Sequence, residues 1–211
     1  MIDVYAFSTP NSVRVPIALE ELGLEYALHA VNVRQGEQKS AEHLARNPNG
    51  KVPVIVDQDG PDGRPFTLSE SGAILLYLAD KTGKLMPTDR FGRARVIEQM
   101  LFHLTGIGPA MGQLGFFKRA PEPLPAAIDR FQAEVERTLA VLDGYLADHE
   151  YVAGDDYSIA DITHFGWLWR REFAGIALDA FPNVARWYEH VAARPGVQRG
   201  IARVTELVPA A

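Results

Sequence analysis

Apolar positions recur along this chain with two periods in turn, and the character changes near Gly83. Before it, short runs of β-branched and aromatic residues alternate with stripes at helical spacing. Ile2 to Phe7 predicts a strand. Val15, Ala18, Leu19 and Leu22 fall at i, i+3, i+4 and i+7, the stripe of a helix, and Gly23 ends it as a C′ residue. Tyr26 to Val33 predicts a second strand, Arg34 to Lys39 a polar loop, and Ala41 to Arg46 a short helix closed by Asn47-Pro48-Asn49-Gly50. Val52 to Val56 reads as a buried strand interrupted by a proline, Gly60-Pro61-Asp62-Gly63 as a turn, and Phe66 to Leu68 as the returning strand. Glu70 to Thr82 predicts a helix with Gly83 as its C-cap. The order βαβ–α–ββα implies a small mixed sheet covered by helices.

From Arg90 onward the strand pattern is absent. Arg90 to Leu114 is helical, with a kink expected at Gly106, Gly108, Pro109 and Gly112. In a long helix from Leu124 to Asp148, Ile128, Phe131, Val135, Leu139, Leu142 and Leu146 keep to one face. Ser158 to Arg170, Phe181 to Ala193 and Val197 to Val204 predict three more helices. The expected organisation is an α/β domain over residues 1–83, a linker over 84–89 and an all-helical domain over 90–211.

Composition narrows the function. Lys and Arg total 21 against 27 Asp and Glu, a net charge of −6 on 211 residues, which argues against a nucleic-acid partner. Apolar runs such as Ala73 to Ala79 fall short of the roughly 20 residues a spanning helix needs, so no membrane association is expected. Asp3 precedes any apolar run and no basic n-region is present, unlike a signal peptide. The chain has no cysteine, which removes disulfides, cysteine metal sites and cysteine nucleophiles, and points to the cytoplasm. The six histidines, at 29, 43, 103, 149, 164 and 190, never fall at i, i+4, so no metal site is expected.

Four motifs carry candidate chemistry. A cis Val52-Pro53 bond turns the chain sharply and offers the Val52 N–H and C=O to an extended peptide; the other reading is an edge strand with a trans proline. Ser69-Glu70-Ser71-Gly72 opens a helix with Ser69 placed to cap it. The Ser71 N–H and hydroxyl can then bind a carboxylate while Glu70 attracts an ammonium, which suits the zwitterionic end of an amino acid. An ordinary capped helix with acid in its first turn is the alternative. Thr9-Pro10-Asn11 follows the first strand, where a hydroxyl and an amide can stabilise a thiolate or simply cap the next helix. Ser158-Ile159-Ala160-Asp161 is a capping box with Asp in place of Glu, and Tyr157 and Ile162 occupy the staple positions; this motif reads as structural.

In this order the motifs resemble the soluble glutathione transferases over essentially the whole chain. Thr9-Pro10-Asn11, Gly36-Glu37-Gln38, Asn47 through Pro53, Glu70 through Leu75 and the Gly106 to Gln113 segment are most similar to the bacterial Nu class of glutathione-dependent disulfide-bond oxidoreductases. The resemblance implies a thioredoxin-like domain followed by a helical domain. It implies that Val52 pairs with the cysteinyl part of glutathione, with Pro53 cis. Glu70 and Ser71 hold the γ-glutamyl amine and carboxylate, and Thr9 and Asn11 face the sulfur. Gln38 and Lys51 contact the glycyl or backbone end, and Arg130 reaches a glutathione carboxylate. Ser8 and Ser12 are rival thiol partners, while Tyr5 is expected to be buried in its strand. The acceptor side is expected along Gly106 to Phe117 with Trp167 or Trp169. The expected activity is reduction of small disulfides through a bound glutathione thiolate, with glutathione or its disulfide as ligand, no metal, and a cytoplasmic homodimer. Conjugation to small electrophiles, peroxide reduction, or a non-catalytic glutathione-binding module are the rivals.

Overall fold

The computed structural model describes residues 1–208. It forms two compact units, residues 1–84 together with the segment beginning at Ala193, and residues 85–192. The first unit contains β1 (Ile2–Ala6), α1 (Arg14–Leu22), β2 (Tyr26–Ala30), a 3₁₀ turn (Glu37–Lys39), α2 (Ala41–Arg46), β3 (Val54–Asp57), β4 (Phe66–Ser69) and α3 (Ser71–Thr82). The sheet order is β2-β1-β3-β4. The crossover through α1 makes β1 and β2 parallel, and the turn at residues 60–63 makes β3 and β4 antiparallel. In the register Val4 lies opposite both Leu28 and Ile55. Val4, Ile55, Ile17, Leu19, Leu75 and Leu78 are all fully buried, so the core lies between the sheet and the two helices.

The second strand is shorter than its apolar pattern. β1, its ladder partner, ends at Ala6, and after Val31 N–H bonds the Ala6 carbonyl at 2.8 Å the chain turns away. The third strand starts at Val54 rather than Val52, because Pro53 has no N–H to give to the ladder. Gly23 closes α1 at φ 67°, as its position predicts.

The last helix, α10 (Pro195–Thr205 when the helices are numbered along the chain), groups with the sheet unit and packs on α1. Gly200 permits this approach: a Cβ there would lie 2.6 Å from Ile17 N. Arg194 clamps Glu21 with two bonds of 2.9 and 2.8 Å, and Arg199 Nε meets Glu20 at 2.7 Å.

The second unit is helical: α4 (Arg90–Phe102), a π turn (His103–Ile107), α5 (Gly108–Lys118), α6 (Pro125–Leu146), α7 (Ile159–Trp169), α8 (Arg171–Ala174) and α9 (Pro182–Ala192). The glycine-rich kink is thus a π turn between two helices. Gly108 and Gly112, one turn apart on α5, let the Trp167 ring lie close, since a Cβ at either would meet it at 3.1 Å. Val135, Leu139, Leu142 and Leu146 bury the inner face of α6. The capping box of α7 is complete. The Asp161 carboxylate accepts from Ser158 N–H (2.9 Å), Val152 N–H (3.0 Å) and Trp187 Nε1–H (2.9 Å). Among the described residues no helix is long and apolar enough to cross a membrane.

Candidate glutathione site

The approach to Pro53 is fixed by side chains that bond the backbone. Asn47 is buried, and its Nδ2 donates to the Lys51 carbonyl at 2.9 Å while its Oδ1 accepts from Asn49 N–H at 3.1 Å. His43 Nε2 lies 2.9 Å from the same Lys51 carbonyl. Gly50, at φ 62°, lets the segment carrying Gln38 close in, since a Cβ there would lie 3.0 Å from the Gln38 carbonyl. With the turn held from both sides, the chain passes through a cis Val52-Pro53 bond. Val52 stands outside the ladder, two residues before β3, so its N–H and C=O are not used in strand pairing.

The start of α3 differs from the sequence expectation in one respect. Ser69 is not the N-cap: it is the last residue of β4, paired with Val54. Glu70 takes the cap position at φ 67° and ψ 111°, and among the described residues no side chain caps the helix. A positive φ at a side-chain-bearing residue is a strained conformation of the kind that clusters at ligand sites. The first turn of α3 therefore presents N–H groups without a side-chain acceptor, an arrangement that favours an anion. Ser71 is buried, and its Oγ accepts a bond of 2.9 Å from Arg14 Nη1. Burial lowers the Arg14 guanidinium to about 9, which leaves it protonated at neutral pH.

Asn11, Asn47, Lys51, Val52, Pro53, Glu70 and Ser71 line one small open depression. Six nominated residues meet there: Asn11, Lys51, Val52, Pro53, Glu70 and Ser71. Thr9 lies in the loop that carries Asn11, and its hydroxyl is engaged within that loop, donating to Ser12 Oγ at 2.9 Å and accepting from Ser12 N–H at 3.2 Å. Ser12 is fully buried and is not among the residues lining the depression. Gln38 sits in the 3₁₀ turn packed on Gly50, outside the depression's lining. Arg130 is an exposed residue of α6 in the second unit. Tyr5 is half-buried rather than buried, stacked on His29 at 4.9 Å with Arg46 at 4.0 Å over its ring. The sequence motifs do not single out Asn47 or Arg14 for this site. Arg14 had a signal, a charge on the stripe that also carries Ala18.

The depression offers groups of four kinds: donors for an anion at Ser71, a carboxylate for an ammonium at Glu70, a free strand edge at Val52, and a cation at Lys51. Among the described residues no cluster of three or more His, Cys, Asp or Glu could hold a metal. A mixed four-stranded sheet with a cis-proline before its third strand and a Glu-Ser helix start, followed by a helical unit, defines the glutathione transferase class. The model of the glutathione S-transferase N-terminal domain matches residues 2–80 and that of the C-terminal domain matches residues 108–195; the chain belongs to the glutathione S-transferase family.

Within the family, the chain is 38% identical over 207 residues to the disulfide-bond oxidoreductase YfcG of Escherichia coli, covering 96% of this chain and 95% of YfcG. It is 38% identical to the disulfide-bond oxidoreductase YghU of the same bacterium, over 94% of this chain and 73% of YghU. Among solved structures, a glutathione transferase of Burkholderia graminis with two glutathione molecules bound per subunit superposes with a TM-score of 0.90 at 44% identity, covering 95% of this chain and 87% of that one.

Proposed function

We propose that this chain is a glutathione-dependent disulfide-bond reductase. The observation that carries the reading is the single depression in which Glu70, Ser71, Val52, Lys51 and Asn11 meet. These groups match, in order, the γ-glutamyl ammonium, the γ-glutamyl carboxylate, the cysteinyl backbone, the glycyl end and the sulfur of glutathione. The relatives YfcG and YghU, named as disulfide-bond oxidoreductases, support the same activity.

The chain has no cysteine, so both thiols come from glutathione. A bound glutathione thiolate attacks one sulfur of the substrate disulfide. The new S–S bond forms as the substrate's S–S bond breaks, and the released thiolate takes a proton from water. A second glutathione thiolate then attacks the glutathione sulfur of the mixed disulfide, giving glutathione disulfide and the second substrate thiol. The substrate is reduced by two electrons and the two glutathiones are oxidised. Rate follows the thiolate fraction and access to the attacked sulfur. The Asn11 amide donates to the sulfur, and Thr9 holds the loop that aims it and joins it when its hydroxyl turns from Ser12. Gln38 supports the glycyl end. In the same reading the chain acts as a cytoplasmic homodimer, which light scattering of the purified protein tests.

The activity is tested by reduction of a small dialkyl disulfide by glutathione, run beside conjugation to an aromatic electrophile and reduction of a peroxide. Disulfide reduction is expected to be the fastest of the three. Asn11→Ala combined with Thr9→Ala is expected to lower kcat/KM at least tenfold, and an unchanged value would remove both residues from the sulfur site.

A further inference from the structure

Arg14 stands where the apolar stripe of α1 calls for a hydrophobic residue, and it is only 1% exposed. Among the described residues it forms no ion pair with an acid, and its Nε and Nη2 have no hydrogen-bond partner. Its one bond runs from Nη1 to Ser71 Oγ at 2.9 Å. A buried cation without a counter-ion is costly, and a long apolar side chain would fill the same space without that cost. The single acceptor that Arg14 does have lines the depression at the start of α3.

We propose that Arg14 is a positioning residue that makes the start of α3 selective for a carboxylate, acting through Ser71 and supplying the charge that the ligand's carboxylate neutralises. The inference rests on the reading that this end of the depression holds the γ-glutamyl group. A serine hydroxyl has one proton and two lone pairs. The Arg14 N–H occupies one lone pair, so the hydroxyl proton is left to point at the ligand. A bond from a cation strengthens the hydroxyl as a donor in turn. The uncapped N–H groups of the first turn face the same anion. Arg14 thereby adds a full positive charge to a helix start whose own backbone supplies only partial charge. The burial that lowers the guanidinium to about 9 is relieved when an anion binds, so ligand binding and retention of the proton reinforce one another.

The test is a cycle of calorimetric affinities for three tripeptides: glutathione, its analogue lacking the γ-glutamyl α-carboxylate (4-aminobutyryl-cysteinyl-glycine), and its analogue lacking the α-amine (glutaryl-cysteinyl-glycine). The natural protein is expected to prefer glutathione over the decarboxylated analogue at least twentyfold. Arg14→Met is expected to cut that preference below threefold while leaving the preference over the deaminated analogue within twofold. Arg14→Lys, which keeps the charge, is expected to restore most of the preference. Arg14→Gln keeps a donor for Ser71 Oγ and holds the fold if Arg14→Met does not; it too is expected to lose the carboxylate preference. Retention of the full preference in either neutral variant overturns the role of Arg14 while leaving the site reading intact. Absence of any preference in the natural protein overturns the site reading and the inference with it.

Discussion

The starts of α7 and α3 both combine a serine with an acid, yet they treat their backbone donors in opposite ways. At α7 the polypeptide satisfies itself. Ser158 accepts from Ala160 N–H, and Asp161 gathers the N–H groups of Ser158 and Val152 and the indole N–H of Trp187. At α3 the preceding serine, Ser69, lies one residue further from the helix and is held in β4, and the acid, Glu70, occupies the cap position without capping. The difference separates a helix start closed by its own side chains from one that none of the described side chains caps, the one proposed above to meet the ligand. It is also a difference in strain: Ser158 is extended at φ −141°, whereas Glu70 is held at φ 67°.

The comparison breaks most visibly at Asp161. Asp161→Ala leaves three buried N–H donors without their acceptor and is expected to destabilise the protein by about 3–5 kcal/mol in denaturant unfolding. Glutathione affinity of the folded variant is expected to stay within twofold. A loss under 1 kcal/mol would show that the α7 start does not hold the helical unit together.

The next largest effect is on pH. Burial raises the Asp161 carboxyl from 3.8 to about 6, against the opposing pull of the Val152, Trp187 and Ser158 donors. The folded protein therefore keeps this proton to higher pH than the unfolded chain does. Its contribution to stability is full below the unfolded value and is lost as pH rises through about 6. Relative to Asp161→Asn, the stability of the natural protein is expected to fall by on the order of 2–3 kcal/mol between pH 4 and 7. A rise over the same interval would reverse the account of that carboxylate. Ser158→Ala is the smallest of the three, with an expected loss of about 1 kcal/mol, read from the shift in denaturant midpoint.

What the sequence makes legible is local. Gly23, the apolar stripe of α1 and the Ser158-Asp161 box each act through neighbours within one turn, and each stands where its pattern places it. What it hides depends on partners far along the chain. Ser69 looks like a cap because pattern alone does not show its pairing with Val54, and the stripe of α10 does not reveal that α1 is its partner. Val52, Pro53, Glu70 and Ser71, which line one depression, stand out in the sequence because a proline in a strand and a polar helix start each mark an unusual backbone. Asn47 reads only as a turn residue, since its bond to the Lys51 carbonyl exists only once the turn has closed. Arg14 is hidden for the opposite reason: a charge at the edge of a stripe reads as surface until its burial is known.

The open start of α3 is the central claim, and Glu70→Gly tests it most directly. Glycine accepts a positive φ without strain, so the ligand-free variant is expected to be more stable than the natural protein by about 1 kcal/mol. It also removes the carboxylate proposed to meet the γ-glutamyl ammonium. Thermal unfolding of both proteins, alone and with saturating glutathione, reads the two effects together. The account predicts a higher Tm for the variant without glutathione and a much smaller rise on adding it. A variant that is destabilised without ligand, or that gains as much from glutathione as the natural protein does, would contradict it.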